Sequence, residues 1–128
     1  MPKKILLIDD EELITRTLAR ALEKSGYEVL VAKRGEDALI MAEEEEFDLI
    51  ISDIRMPGPD GVDTVKKILA NKRSSKIPAI FMTGYADPAV EKKARELNPT
   101  AYFHKPFDFP EFLAKVRETL ELQSNKAR

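Results

Sequence analysis

Short hydrophobic runs alternate with amphipathic segments along the chain, and this alternation predicts five strands, each followed by a helix. The strand-like runs are Ile5–Ile8, Tyr27–Ala32, Asp48–Asp53, Ile77–Met82 and Tyr102–His104. The helices are expected at about Glu12–Ser25, at Gly35–Glu45, after Asp60-Gly61, at Asp87–Asn98 and from Asp108 onward. Regular alternation of strands and helices is typical of a doubly wound parallel α/β sheet.

The apolar spacing within the helices predicts which faces turn inward. In the first helix the expected inward residues are Ile14, Leu18, Ala21 and Leu22, and in the last helix they are Phe109, Leu113, Val116 and Leu120. Asp87 can cap the fourth helix, with Pro88 at its first position. Asn98, before Pro99, is expected to end that helix in a left-handed conformation.

Composition limits the class of protein. At 128 residues the chain suits one domain, expected over residues 1–122, with a polar tail or linker start that frays over 123–128. Its 21 basic and 23 acidic residues give a charge of −2, which argues against a nucleic-acid or membrane surface. The chain has no cysteine, and its apolar stretches are no longer than a strand. The first predicted strand follows directly after Met1–Lys4, which leaves no room for a signal peptide. A cytoplasmic protein without a signal peptide is therefore expected.

Charged and polar side chains stand where the hydrophobic runs end. Asp9 and Asp10 follow the first run, Asp53 closes the third, Thr83 follows the fourth and Lys105 follows the fifth. In an open parallel sheet these ends line the ligand crevice. Three carboxylates about 5 Å apart repel by roughly 3 kcal/mol per pair at an effective dielectric near 20, so a cation must offset them. Oxygen ligands with few protein donors favour Mg²⁺.

Asp53 is the candidate nucleophile of this crevice. A carboxylate beside Mg²⁺ can attack an activated phosphoryl group and form an acyl phosphate. Such a transfer needs in-line positioning and neutralisation of the equatorial phosphoryl oxygens. The Lys105 ammonium and the Thr83 hydroxyl are the groups predicted to assist.

The motifs together resemble the receiver domains of two-component response regulators, from Lys4 to about Leu122. The residues that carry the resemblance are Asp9-Asp10, Asp53, Met56-Pro57, Asp60-Gly61, Thr83-Gly84 and Lys105-Pro106-Phe107, in the family's order and spacing. The resemblance implies a flavodoxin-like fold with strand order 2-1-3-4-5. It also implies a phosphoryl-accepting signalling switch and not an enzyme, with only slow self-dephosphorylation.

The resemblance assigns the metal ligands. It implies Asp10 and Asp53 as direct Mg²⁺ ligands, Asp9 as a supporting group acting through water, and the backbone carbonyl of Arg55 as a third protein ligand.

The resemblance also assigns the switch. Asp53 would take its phosphoryl group from a phosphohistidine on a sensor histidine kinase or a phosphotransfer protein, and Lys105 would contact that group. Thr83 would be the switch hydroxyl, and Tyr102 the aromatic residue that turns inward on activation. An effector or output domain would bind the face of the fourth helix, last strand and last helix. Dimerisation on phosphorylation is left open.

Three positions depart from the common pattern of the family. Asn98-Pro99 replaces the usual Gly-Ala pair, Arg55 puts a cation beside the phosphorylation site, and Tyr85 adds a ring to the rim next to Gly84. None of these removes a required group, so they are expected to change rates only.

Two alternative functions share the fold or the chemistry. A phosphohydrolase of the haloacid dehalogenase type also uses an aspartate nucleophile and Mg²⁺, but it needs a second aspartate where Arg55 stands. A flavodoxin-like flavin carrier needs a Ser/Thr/Gly-rich phosphate loop where Asp9–Glu12 would repel a phosphate.

The chain shows no helix-turn-helix or catalytic module, so it is expected to be a stand-alone receiver or part of a longer protein. His104, beside Lys105, should face away from the site and be structural.

Overall fold

The computed structural model describes residues 2–56 and 58–126. Pro57 of the Met56-Pro57 motif and residues 127–128 of the predicted tail lie outside the described residues. The strands are β1 (Lys4–Ile8), β2 (Glu28–Ala32), β3 (Leu49–Asp53), β4 (Ala79–Thr83) and β5 (Ala101–His104). The helices are α1 (Glu12–Lys24), α2 (Gly35–Glu44), α3 (Gly61–Ala70), α4 (Pro88–Arg95) and α5 (Phe109–Lys126), with a 3₁₀ turn at Lys72–Ser74.

The five strands form one parallel sheet in the order β2-β1-β3-β4-β5, which confirms the predicted flavodoxin-like topology. The register pairs Ile8 with Ser52, Asp53 with Met82, and Thr83 with His104. Because these pairs lie at the carboxyl ends of the strands, the residues that follow them meet along one edge of the sheet.

Two hydrophobic clusters cover the two faces of the sheet. Leu6, Ile8, Ile50 and Phe81 face one cluster with residues of α2, α3 and α4. The alternate strand residues, among them Ile5, Leu7, Ile51 and Met82, face the other cluster with residues of α1 and α5. All residues of β3 and β4 are buried, as expected for strands covered on both faces.

The inward face of α5 differs from the prediction. Phe112, Val116 and Leu120 are buried, whereas Phe109 and Leu113 are only partly buried at the margin of the cluster. Phe109 and Leu113 pack against the cluster as predicted, but the predicted stripe omits Phe112, which is fully buried and stacks on Phe107. The helix also runs on to Lys126, into the segment expected to fray.

The ends of α4 follow the local signals. The Asp87 carboxylate accepts hydrogen bonds from the amides of Ala89 and Val90, which confirms the predicted cap. The helix ends at Arg95, before Asn98, because Leu97 and Asn98 donate to carbonyls three residues back in a tighter turn. Asn98 has a φ of 55°, the left-handed conformation predicted for it.

Within the described part of the chain, no helix is long and apolar enough to span a membrane.

Candidate functional site

Three carboxylates converge at the carboxyl edge of the sheet. Asp9 and Asp10 directly follow β1 and Asp53 ends β3, the strand next to it. One oxygen from each of the three side chains lies within 4.8 Å of the others. Asp9 is fully buried and Asp53 is 4 % exposed, whereas Asp10 faces solvent. The structure thus brings together the acids that the strand ends predict.

Lys105 supplies positive charge to this cluster. Its ammonium lies 3.2 Å from Asp53 Oδ2, 3.4 Å from Asp9 Oδ2 and 3.5 Å from Glu11 Oε1. Burial lowers the pKa of Lys105, but the carboxylates of Asp9 and Asp53 outweigh burial and leave that pKa above its ordinary value. Lys105 is therefore a charged hydrogen-bond donor aimed at Asp53.

The electrostatics of the cluster remain unbalanced with Lys105 alone. Burial raises the pKa of Asp9 to about 6, against the opposing effects of the Glu11 amide and of Lys105, while Asp53 raises it further. Because burial is the main cause, the site solvates an ionised Asp9 poorly, and the nearby Asp53 adds to the cost. An all-oxygen donor set with one exposed member fits a divalent cation that keeps part of its water shell.

The backbone that carries Asp53 is held by close packing against α3. The Gly61 amide donates to the Ile54 carbonyl at 2.8 Å, and Ser52 Oγ donates to the Asp53 carbonyl at 2.8 Å. A Cβ atom on Gly61 would lie 1.9 Å from the Asp53 carbonyl oxygen. This position requires glycine because the helix start and the strand end touch through their main chains.

Thr83 ends β4 and is 1 % exposed, with its hydroxyl engaged by the loop that follows. The hydroxyl donates to the Tyr85 carbonyl at 3.0 Å and accepts from the Tyr85 amide at 3.1 Å. Thr83 therefore lies at the edge predicted from the sequence, but its hydroxyl holds the rim loop in place.

The rim consists of Arg55 after β3 and of Gly84 and Tyr85 after β4, all three exposed. The central carbon of the Arg55 guanidinium lies 4.0 Å from the centroid of the Tyr85 ring. A cation over an aromatic face is attracted by the ring quadrupole, so the two side chains form a pair above the site.

Tyr102 lies on β5, away from the carboxylates and against α4. Its partly buried ring packs beside the core cluster that contains Ala94 and Phe81. Burial raises the pKa of Tyr102, and the negative charge of Glu91 raises it further. The neighbouring His104 is exposed and faces α4, which confirms that it turns away from the site while Lys105 enters it.

Two residues near Asp53 were not predicted as members of the site. In the sequence Glu11 is only one member of an acidic run, yet its carboxylate is a partner of Lys105. Nothing in the sequence except its place before Asp53 indicates a role for Ser52, yet its hydroxyl donates a hydrogen bond to the Asp53 carbonyl. The one indication of Glu11 in the sequence is that it directly follows the Asp9-Asp10 pair.

Comparison with known proteins agrees with this fold. Residues 5–117 match the family model described as the response regulator receiver domain. Sporulation initiation phosphotransferase F of Bacillus subtilis is 33% identical, over 98% of this chain and 99% of that protein. The chain therefore belongs to the family of response regulator receiver domains of two-component systems. This membership excludes the haloacid dehalogenase and flavin-carrier alternatives.

Two further similarities bear on the fold and on the size of relatives. A CheY-like response regulator receiver domain protein from Methanospirillum hungatei JF-1 superposes with a TM-score of 0.92 at 29% identity, covering 98% of this chain and 99% of that one. The alkaline phosphatase synthesis transcriptional regulatory protein PhoP of Bacillus subtilis is 38% identical over 94% of this chain. The chain spans 49% of the length of PhoP, so receivers similar to it occur both alone and within longer regulators.

Proposed function

We propose that Asp53 is the phosphoacceptor of a two-component phosphorelay. The observation that carries the proposal is the contact of 3.2 Å between the Lys105 ammonium and the buried Asp53 carboxylate, inside the three-carboxylate cluster. A buried carboxylate with a fixed cation beside it has the nucleophile and the charge compensation that phosphoryl transfer requires.

In the proposed transfer, one Asp53 oxygen attacks the phosphorus of a phosphohistidine on a sensor kinase or phosphotransfer protein. The new P–O bond forms as the P–N bond breaks, and the imidazole nitrogen keeps the electron pair of that bond. Once Asp53 carries the phosphoryl group, the Lys105 ammonium would contact a phosphoryl oxygen. The negative charge of that oxygen would replace the Asp53 carboxylate charge that Lys105 neutralises before transfer. In-line approach is from the open side of the crevice, beneath the rim.

The carboxylate cluster would hold Mg²⁺, with Asp10 and Asp53 as direct ligands, Asp9 supporting it through water, and the Arg55 carbonyl as a further ligand. When bound, Mg²⁺ supplies neutralisation of the phosphoryl oxygens. The oxygen donors and the proximity of the three acids support this assignment.

Signalling would follow from a change of partners at Thr83. Its hydroxyl would leave Tyr85 for the phosphoryl group, and Tyr102 would move inward, remodelling the surface formed by α4, β5 and α5. That surface is the proposed binding site for an effector or output domain, or for a second copy of the phosphorylated chain. The expected cytoplasmic location, the absence of direct nucleic-acid binding and slow self-dephosphorylation remain predictions.

The test is phosphorylation by acetyl phosphate with Mg²⁺, followed by intact-protein mass spectrometry. The wild-type protein should gain one phosphoryl group that hydroxylamine removes, and Asp53→Ala should gain none. Asp63→Ala, which removes an exposed acid from the first turn of α3, is the matched control and should be labelled like wild type. Stable labelling of Asp53→Ala would refute the assignment.

A further inference from the structure

The ring of Tyr102 is bracketed by two side chains on the surface formed by α4 and β5. The Arg95 guanidinium lies 5.3 Å from the ring centroid, and the His104 ring centroid lies 5.3 Å from it as well, at an interplanar angle of 59°. Both distances are within the range of favourable cation–π and tilted aromatic contacts.

Glu91 connects the two sides of this bracket. One of its oxygens accepts from Arg95 Nε at 2.9 Å, and the other lies 3.9 Å from His104 Nε2. Arg95 stands one helical turn after Glu91, so α4 itself orients the guanidinium toward β5. Glu91 is the more enclosed partner, with 30 % of its side chain exposed against 60 % for Arg95.

The bracket acts on the position of Tyr102. The ring packs against the core cluster, which includes Ala94 of α4, and also contacts Arg95 and His104 near the surface. The inward movement proposed for switching would carry the ring away from these two contacts. A contact made in only one of two states shifts the equilibrium toward that state. Glu91, Arg95 and His104 therefore favour the orientation in which Tyr102 remains partly exposed.

We infer that Glu91, Arg95 and His104 form a latch that holds Tyr102 in its unswitched orientation. The latch sets the free energy that phosphorylation must supply to move the ring. This inference rests on the proposed function, because it concerns the threshold of that switch. Arg95 and Glu91 are positioning residues that act through Tyr102 and touch no reacting atom. The latch opposes activation before phosphorylation, and its loss makes the switched state easier to reach.

The experiment is a titration with beryllofluoride in excess Mg²⁺, with the Tyr102 ring and Thr83 methyl signals followed by NMR. When only a small fraction of the protein is competent to switch, apparent affinity rises in proportion to that fraction. Arg95→Ala should tighten apparent beryllofluoride affinity by about two- to fivefold, the factor expected for loss of an exposed cation–π contact. Glu91→Gln should act in the same direction.

Two controls separate the latch from a general change in charge. Lys92→Ala and Glu96→Gln make the matched charge changes in exposed positions beside the latch, and both should leave the affinity at the wild-type value. In a Tyr102→Leu background, Arg95→Ala should have no further effect, because the two residues act as a unit. A side chain that merely stabilised α4 would lower the melting temperature without tightening the affinity.

The outcomes distinguish the latch from the function on which it rests. If wild type responds to beryllofluoride but Arg95→Ala matches it or binds more weakly, the latch is refuted and the phosphoacceptor role stands. Tightening that persists in Tyr102→Leu also refutes the latch. A wild-type protein that neither responds to beryllofluoride nor accepts phosphoryl from acetyl phosphate refutes the function and the latch together.

Discussion

The guanidinium of Arg55 lies over the ring of Tyr85, with 4.0 Å between its central carbon and the ring centroid. The two residues come from the loops after β3 and β4, and the Tyr85 backbone is bonded to the Thr83 hydroxyl on both its amide and its carbonyl. The pair is thus attached to Thr83, the proposed switch residue, at the rim of the crevice. If Asp53 carries a phosphoryl group as proposed, this pair would lie on the side from which water approaches.

We expect the Arg55–Tyr85 pair to slow self-dephosphorylation without changing phosphoryl acceptance. Hydrolysis needs a water in line with the phosphorus, and a ring covered by a cation excludes water from that approach. Arg55→Ala and Tyr85→Ala should each accelerate decay of the phosphorylated protein about two- to tenfold, measured by loss of the phosphoryl mass over time. The acceleration of decay in the double variant should be smaller than the product of the accelerations in the two single variants.

Wild-type decay rates in all three variants would show that the pair merely projects into solvent. Arg73→Ala, which removes an exposed arginine from the 3₁₀ turn, provides the control for a change in net charge.

Removal of one carboxylate should change the response to metal. Millimolar Mg²⁺ should raise the wild-type melting temperature by several degrees, because an ion that binds the folded state stabilises it by about 1 to 3 kcal/mol at 10 to 100 times its dissociation constant. Asp10→Asn should lose most of this response and melt higher than wild type without metal, because carboxylate repulsion is reduced. Differential scanning calorimetry with and without Mg²⁺ measures both effects. Asp63→Asn should keep the full response; an equal response in Asp10→Asn would place the ion elsewhere.

Without metal, the contribution of Asp9 to stability should fall as the pH rises from about 4 to about 6. Folded Asp9 keeps its proton up to a pKa of about 6, whereas unfolded Asp9 releases it near 3.8, so the folded state binds more protons in this window. Ionising the buried group therefore costs about 2 to 3 kcal/mol once the pH exceeds both values. Asp9→Asn removes this cost.

The stability difference between Asp9→Asn and wild type should consequently grow from pH 4 to pH 6 and then remain constant. Urea unfolding in EDTA at several pH values measures it. A difference that is flat across this range would contradict the raised pKa of Asp9.

Gly61 and Gly84 give a matched pair of glycine substitutions at the site. A Cβ atom at Gly61 would meet the Asp53 carbonyl oxygen at 1.9 Å and Ser52 Oγ at 2.7 Å, whereas at Gly84 the nearest atom is Lys105 Cβ at 3.9 Å. Gly61→Ala should therefore destabilise the fold by about 2 to 4 kcal/mol, because backbone atoms must separate. Gly84→Ala should change stability by less than about 1 kcal/mol. Equal effects in chemical denaturation would show that α3 does not support Asp53 by direct contact.

The sheet and the charge cluster could be predicted because both depend on short-range patterns. A buried parallel strand is a continuous apolar run, and the polar residue that ends it marks the edge of the sheet, as Asp53 does after Leu49–Ser52. The capping carboxylate of Asp87 and the left-handed Asn98 are likewise determined by adjacent residues.

The remaining features depend on contacts between residues distant in sequence. Phe107, Phe109 and Phe112 lie so close together in sequence that periodicity alone cannot decide which ring enters the core; Phe112 is the one that is fully buried, although Phe107 stacks on both of the others. The contact of Glu11 with Lys105, and the position of Arg95 over Tyr102, exist only once the strands are paired. Helix periodicity carries no information about either.

Burial of Asp9 against Asp53 has a consequence for protein engineering. A screen for heat tolerance alone, carried out without metal, should enrich amide or apolar replacements in this cluster, since each relieves repulsion that the folded chain must otherwise bear. The variants that survive best would then be those least able to carry a signal. Thermostable forms of this domain should instead be sought at exposed positions such as Ile40 or Leu122, where the sequence can change without touching the acids.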